Sequence, residues 1–390
     1  MTKVNVTDEV RYIGVDDKTI DLFEGQYGVP NGISYNSYLI KDEKNVVMDT
    51  VDRRATEQWI DNLQNELNGQ TVDYLVVSHL EPDHAYNIQW LTEKYPNMKI
   101  IGNAKTFTMI PQFFQIQDLE QRKVIVKEND TISIGKHQLQ FMMAPMVHWP
   151  EVMVTYEQTE KILFTADGFG KFGTLDTDEE WLCEARRYYF NIVGKYGMQV
   201  QNLLKKVSAL NIKMICPLHG PILKEDLGYY LNKYNVWSSY QPEDKGVLIA
   251  YASIYGNTKE AAEKLAEILK QKGLKNLAMT DLARDDMAEA VENAFRYDTM
   301  ILAASTYNMN VFPPMEQFLH HLQGKNYQKR NIGIIENGSW APAAATKMKE
   351  ILEKMKDISI YEPNITIQSK MTDKTIEQME NLAQSILKKE

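Results

Sequence analysis

Ser78-His79-Leu80-Glu81-Pro82-Asp83-His84 follows directly on Tyr74-Leu75-Val76-Val77, an apolar run of strand type. Four potential metal ligands fall within this segment, and its proline would strain a helix interior, so a strand-end loop is expected. A lone histidine in such a loop reads as a satisfied polar side chain. Two carboxylates packed beside two imidazoles do not, because carboxylates repel one another unless a cation lies between them. Three further residues stand in the same kind of place. His148 (Met146-Val147-His148-Trp149-Pro150), Asp167 (Leu163-Phe164-Thr165-Ala166-Asp167-Gly168) and His219 (Cys216-Pro217-Leu218-His219-Gly220) each follow an apolar, strand-like run. Four of the seven histidines thus lie at strand ends, where binding and catalytic groups concentrate. His137, His320 and His321 lie in polar or helical surroundings and are expected to be solvated or structural.

The chain has 390 residues, which at about 100–200 residues per domain means two, at most three, folded units. Its composition is 44% hydrophobic and 25% charged, enough apolar material for sizeable cores and unlike a disordered or fibrous chain. A formal net charge of −10 argues against nucleic acid or an anionic membrane surface as the main partner and suits a soluble acidic enzyme. The opening Met1-Thr2-Lys3-Val4-Asn5 has no apolar leader core, and no apolar run reaches the ~18 residues of a membrane span, so a cytoplasmic location is expected. The only cysteines are Cys183 and Cys216, with no C-x-x-C pair. That excludes a disulfide framework and any cysteine-ligated zinc or iron in this sequence, leaving histidine and carboxylate for a metal. Both cysteines are expected to be buried small apolar side chains.

Short runs rich in Val, Ile, Tyr and Phe over 37–40, 45–48, 74–77, 99–101, 124–126, 138–143 and 161–164 read as strands, interrupted by helical stretches such as 55–67. Layered α/β structure follows from that pattern. Ser238-Ser239-Tyr240-Gln241-Pro242-Glu243-Asp244-Lys245-Gly246 is polar and turn-rich, so an exposed linker and a domain boundary are expected there, between a first domain over 1–243 and a second over 246–390. In the second domain five strands, over 247–252, 277–282, 300–304, 332–335 and 365–367, alternate with helices beginning at Thr258, near Met287, and at Pro314, Ala343 and Asp373. This regularity describes a doubly wound parallel sheet. No internal repeat or low-complexity tract interrupts either part.

The first of those strands runs into Ser253-Ile254-Tyr255-Gly256-Asn257-Thr258 and then a helix. Free backbone N–H groups and the positive end of the helix dipole face such a loop, and the Ser253 and Thr258 hydroxyls add donors, so the loop suits a phosphate. It has neither the G-x-x-x-x-G-K-[ST] spacing of a nucleotide triphosphatase nor the G-x-G-x-x-G of a dinucleotide fold. It resembles the phosphate loop of flavodoxins, [ST]-x-[TYS]-G-N-T, which holds the phosphate of FMN. Two more loops match that family by position, Ala304-Ser305-Thr306-Tyr307-Asn308 and Glu336-Asn337-Gly338-Ser339-Trp340. The resemblance implies that they flank the isoalloxazine ring, with Trp340 or Tyr307 as a stacking aromatic.

Over roughly residues 1–245 the pattern H-x-E-x-D-H, with His148, Asp167 and His219 beyond it, resembles the metallo-β-lactamase fold and its binuclear site. The zinc hydrolases of that fold carry H-x-H-x-D-H, and here Glu81 replaces the second histidine. A set of three carboxylates and four imidazoles is harder and more anionic, which favours iron and redox chemistry over zinc and hydrolysis. An αββα metallo-β-lactamase-like sandwich followed by a flavodoxin-like five-stranded parallel sheet looks like the flavodiiron proteins, also called A-type flavoproteins. Ser34-Tyr35-Asn36-Ser37-Tyr38-Leu39-Ile40, His148-Trp149-Pro150, Asp167-Gly168-Phe169-Gly170 and Arg186-Arg187-Tyr188-Tyr189 agree with that family, while Ala85-Tyr86 and Glu151-Val152 depart from its common Ser-Gly and Asp-Ser.

The resemblance implies that His79, Glu81 and His148 bind one iron and Asp83, His84 and His219 the other, with Asp167 bridging. It implies reduction of dioxygen to water or of nitric oxide to nitrous oxide, electrons arriving through FMN from a separate donor, a rubredoxin or reduced coenzyme F420. It also implies a head-to-tail homodimer or a dimer of such dimers, in which one chain's flavin serves the other's irons. Asp49, after Val46-Val47-Met48, is a candidate to orient a ligand imidazole or to cap a turn, and Tyr188 and Tyr189 are either pocket-lining or core aromatics. Two other readings stay open: a binuclear zinc hydrolase with a flavodoxin-like appendage, and a flavin electron carrier with a structural first domain.

Overall fold

Alternation along the short strands of the first half sorts their side chains onto two faces, and the inward faces of two sheets meet. The computed structural model describes residues 6–388, so Met1–Asn5 lies outside the described residues. One sheet has the order Val10–Tyr12, Tyr38–Ile40, Val46–Met48, Tyr74–Val76, Lys99–Gly102, Lys123–Ile125, antiparallel over its first three strands and parallel from the third onward. The other runs Thr131–Ser133, Gln138–Met143, Met153–Glu157, Ile162–Phe164, Met214–Cys216, with only its last pair parallel. Tyr38, Ile40, Val46, Met48 and Val76 of one sheet pack with Leu139, Phe141, Met153, Ile162 and Phe164 of the other. Their outward neighbours Leu39, Val47, Leu75 and Leu163 are buried as well, as strands are when helices cover the far side. This is the expected αββα sandwich.

The second unit is a parallel sheet with strand order Leu277–Asp281, Asp244–Ala252, Tyr297–Tyr307, Arg330–Asn337, then a fifth position. The order 2-1-3-4-5 reverses direction beside the first strand, and clefts form at such a switch point. The fifth position is split: Ile358–Ile360 pairs with the start of Arg330–Asn337 and Ile365–Ile367 with its end. The sequence pattern showed only the second piece, because Ile358–Ile360 is not fully buried and lacks a continuous apolar run.

The chain divides before Val236, inside the helix Leu227–Ser238, earlier than the polar stretch suggested. That stretch is not an exposed linker. Trp237, Ser238 and Tyr240 are buried, the Trp237 indole donates to Glu243 at 2.6 Å, and Asp244 already belongs to the sheet. Arg330, 2% exposed, explains why: its guanidinium donates to the carbonyls of Tyr240 (2.8 Å), Gln328 (3.0 Å), Lys329 (3.1 Å) and Phe295. One cation thereby holds the boundary segment against the second sheet. Cys216 is buried as expected, but Cys183 is exposed, since its helix Trp181–Tyr188 turns Trp181, Ala185 and Tyr188 inward instead. Among the described residues no helix is long and apolar enough to cross a membrane.

Arg330→Met keeps the volume but leaves those carbonyls without their charged donor, at a cost of about 3 kcal/mol. A thermal melt followed by circular dichroism should show the second unit unfolding several degrees lower, and an unchanged transition would remove the clamp from the account.

Candidate metal centre and phosphate-loop cleft

Strand Tyr74–Val76 delivers the chain to His79, and the ligand-rich segment closes as a short helix, Pro82–Ala85. Pro82 takes its first position, where a missing N–H costs nothing, so the expected loop ends in a helical turn carrying Asp83 and His84. Asp49 accepts the Ser78 N–H at 2.7 Å and so braces the root of this segment, a backbone role and not one at an imidazole.

All seven residues singled out in the sequence come together, in two adjoining groups. In the first, His79 Nε2 lies 3.2 Å from Glu81 Oε2 and 3.5 Å from Asp167 Oδ2, and His148 Nε2 lies 3.0 Å from each. In the second, His84 Nε2 lies 3.3 Å from Asp83 Oδ2 and 3.1 Å from Asp167 Oδ1, and His219 Nε2 lies 3.3 and 3.9 Å from the same two oxygens. Within each group the ligand atoms are within 4.8 Å of one another. Asp167 turns one oxygen to each group.

Burial sets the electrostatics. It pushes the Asp83 carboxyl up to about 7, with the Glu81 and Asp167 charges adding to it against the pull of His84. Burial would lower His148, yet the Asp167 and Glu81 carboxylates, each 3.0 Å from its Nε2, lift it to about 9. Asp167 is held well below the ordinary carboxylate range, burial being outweighed by His148 and His84. His219 is held below its usual value by burial and is neutral at pH 7. Both oxygens of Asp83 and of Asp167, and Nε2 of His84 and of His219, are buried without a hydrogen-bond partner. Buried polar atoms are ordinarily paired, and here acceptors and imidazole nitrogens face common points, the arrangement that cations satisfy. The donor set, four imidazoles and three carboxylates with no thiolate, fits a pair of iron ions.

Two imidazoles are fixed from behind. His79 donates Nδ1–H to Glu151 Oε1 at 2.8 Å, and the same oxygen accepts the Leu80 N–H at 2.9 Å. His219 donates Nδ1–H to the Ser34 carbonyl at 2.7 Å. These bonds choose the tautomer that leaves each Nε2 lone pair facing the group. Sequence reading noticed Glu151 only as a departure and missed this role. Rings stand against the imidazoles: Phe23 and Tyr188 are 5.3 and 5.5 Å from His219, and Trp149 is 5.0 Å from His79. Tyr188 is therefore beside the group as well as in the core. A cleft of about 320 Å³ reaches Glu81 and Asp83, and Asp21, Glu24 and Asp52 also line it. Its one cation, Arg54, is already bound to Asp17 at 2.6 Å.

In the second unit a cleft of about 370 Å³ lies at the strand ends, lined by Ser253, Ile254, Tyr255, Asn257, Thr258, Ser305, Thr306, Asn308, Asn337, Gly338, Ser339 and Trp340 among others. Gly256 does not line it but makes the turn, with φ 101°, that starts the helix Asn257–Gln271, and no side chain caps that helix. Its first N–H groups are thus left for an anion. Thr258 Oγ1 meets Ser305 Oγ at 2.8 Å, and Asn337 exchanges hydrogen bonds of 3.0 and 2.9 Å with the Ser369 backbone, so the loops brace one another. Tyr307 is outside the lining, its ring turned to Phe312 at 5.8 Å, whereas Trp340 is 90% exposed at the rim and free to lie on a planar ligand. Met309, Ala341 and Ser369 complete the lining and were not foreseen, being unremarkable in sequence.

Comparison with known proteins agrees with both halves. Residues 33–220 match the ODP family beta lactamase model and residues 248–376 a flavodoxin domain model. An uncharacterized protein of Methanocaldococcus jannaschii is 32% identical, over 90% of each chain. An anaerobic nitric oxide reductase flavorubredoxin of Vibrio vulnificus is 30% identical, over 88% of this chain and 72% of its own. Among solved structures, the rubredoxin oxygen:oxidoreductase of Desulfovibrio gigas superposes with a TM-score of 0.91 at 25% identity, covering 98% of this chain and 97% of that one.

Removing the Glu151 carboxylate should loosen the first metal group. Glu151→Ala should weaken ferrous-ion affinity by about 10–100-fold and Glu151→Gln, which keeps an acceptor oxygen, by less. Anaerobic titration of the metal-free chain checks both. Metal displaces the protons held by His148 and Asp83, so affinity should rise with pH through about 7 and on toward 9. A flat profile would contradict the proton inventory of the cluster.

Proposed function

Since the chain belongs to the flavodiiron proteins, with FMN and a di-iron centre as its cofactors, we propose that it reduces dioxygen to water, nitric oxide to nitrous oxide, or both. The observation that carries this reading is Asp167, whose two oxygens face two adjoining imidazole–carboxylate groups. On it rests the ligand assignment: His79, Glu81 and His148 for one iron, Asp83, His84 and His219 for the other, and Asp167 shared. When bound, FMN supplies electrons one at a time and the irons supply the open positions at which a diatomic gas is reduced.

The chain's own residues do the positioning. Glu151 and the Ser34 carbonyl aim the His79 and His219 lone pairs. The rings of Phe23, Trp149 and Tyr188 give the imidazoles a dry wall that suits a small uncharged molecule. The carboxylate-lined cleft repels anions, which speaks against a phosphodiester or another charged ester as substrate. In the second unit the loop Ser253 to Thr258 is assigned to the FMN phosphate, and the loops around Ser305 and Asn337, with Trp340, to its ring. The electron donor is a separate molecule, rubredoxin-like or a reduced deazaflavin. The working unit is a head-to-tail homodimer or a pair of these, supported by the family resemblance.

Protein purified without oxygen should contain two irons and one FMN per chain and consume dioxygen or nitric oxide with an artificial reductant, the ratio of rates naming the preferred gas. Zinc with ester hydrolysis, or inactivity after iron reconstitution of FMN-replete protein, would overturn the proposal. Asp167→Ala should strip both metals, while Glu81→Ala should mainly weaken one, a difference that elemental analysis reads directly.

A further inference from the structure

Away from the strand-end cluster, three turns of the first unit converge. Glu9 immediately precedes strand Val10–Tyr12, His137 lies in the turn between Thr131–Ser133 and Gln138–Met143, and Glu160 in the turn between Met153–Glu157 and Ile162–Phe164. Pairing keeps these turns together: Ser133 is opposite Gln138, Glu157 is opposite Ile162, and Thr159 Oγ1 donates to the Lys136 carbonyl at 3.0 Å. Glu160 and Asp167 flank the same strand, Ile162–Phe164, so this place is at the other end of the sheet from the first cluster.

We propose that Glu9, His137 and Glu160 form a second divalent-cation site, for a borderline ion of the zinc class, held apart from the di-iron centre. His137 is fully buried. Its main-chain N–H and its Nδ1 both reach Asp42 Oδ2 at 2.7 Å. Asp42 is partly buried, but the main-chain N–H groups of His137, Glu43 and Lys136 hold its pKa down to about 2, so it is an acceptor only and Nδ1 is the donor. Nε2 then carries the lone pair, and it is buried without any hydrogen-bond partner. It faces Glu9 Oε2 at 3.4 Å and Glu160 Oε2 at 3.8 Å. Three acceptors turned toward one another are unfavourable without a positive charge between them.

A proton on Nε2 is the simplest such charge, and the distances speak against it. Charge-assisted N–H···O bonds close to about 2.7–2.9 Å. Two ligands each about 2.1 Å from a tetrahedral zinc stand about 3.4 Å apart, close to the separations found. The imidazole held from behind by a carboxylate is also the usual support of a metal-bound histidine. Thr7 Oγ1 donates to Glu160 Oε2 at 2.7 Å and steadies the second carboxylate. An adjoining cleft of about 490 Å³, lined by Thr7, Asp8, Glu9, Lys136 and Glu160, admits an ion and a water for the fourth position. The competitor is Lys136, whose ammonium pairs with Glu9. Its side chain is 56% exposed, so it can move into solvent when a cation arrives.

The test uses iron- and FMN-loaded protein equilibrated with zinc, desalted, and assayed for zinc, iron and FMN. One zinc per chain should be retained with iron, FMN and gas consumption unchanged. Glu160→Gln, which leaves the His137–Asp42 pair intact, should weaken zinc binding at least about tenfold. Lys136→Ala should tighten it, a change of opposite sign that a purely structural salt-bridge cluster would not give. Zinc retained equally by wild type and Glu160→Gln, zinc gained only as iron is lost, or no zinc retained at all would each overturn the proposal. Because zinc is counted beside iron, failure of this site is distinct from failure of the di-iron assignment.

Discussion

Asp167 is a buried carboxylate with imidazoles on both sides, and the first unit is organised around that costly placement. Taking such a charge out of water is unfavourable by several kcal/mol unless it is compensated. Compensation here comes from His84 and His148, which arrive on two different segments and lie within 3.1 Å of its two oxygens. To bring His84 to Asp167, strands Tyr74–Val76 and Ile162–Phe164 of opposing sheets must end at the same pole of the sandwich. The inward stacking of Val76, Phe164 and Cys216 fixes that register, so a shift of one residue would turn every ligand-bearing loop away.

Under the proposed assignment the two units would hold their cofactors by different physics. The first offers charged and imidazole side chains whose identity sets the chemistry, and two of the imidazoles are braced from behind, His79 by Glu151 and His219 by the Ser34 carbonyl. The second uses backbone N–H groups at an uncapped helix start and short hydroxyl contacts, Thr258 with Ser305 being one. A flavin site of this kind depends on loop shape more than on particular side chains. It tolerates Ile254 and Tyr255 at the rim, both exposed, but it needs Gly256 at φ 101°.

Much of this was legible in the sequence, for reasons that can be named. The seven cluster residues each follow an apolar run, and the β-to-loop transition shows without knowledge of pairing. The same holds for the Ser253-to-Thr258 loop. What was not legible depends on partners distant along the chain. Glu151 acquires its role only because its carboxylate reaches His79 and Leu80 from the turn before strand Met153–Glu157. His137 reads as an ordinary polar-turn histidine until Asp42, Glu9 and Glu160 are brought around it. The polar composition of 238–246 pointed to a linker because Arg330, which binds the Tyr240 carbonyl, lies ninety residues away. Tyr307 and Trp340 were interchangeable by position, and only their orientation separates them.

The arginine clamp bears on how such a two-part protein can be assembled by recombination. The joint that composition suggests, after residue 243, would sever Tyr240 from Arg330 and leave the Trp237–Glu243 pair behind with the other part. A flavodoxin-like module carried to a new neighbour must therefore bring along a short N-terminal extension that is no part of its first strand. Fusions that respect this will inherit an intact module, and those that cut at the first strand will inherit a buried guanidinium with one of its acceptors missing.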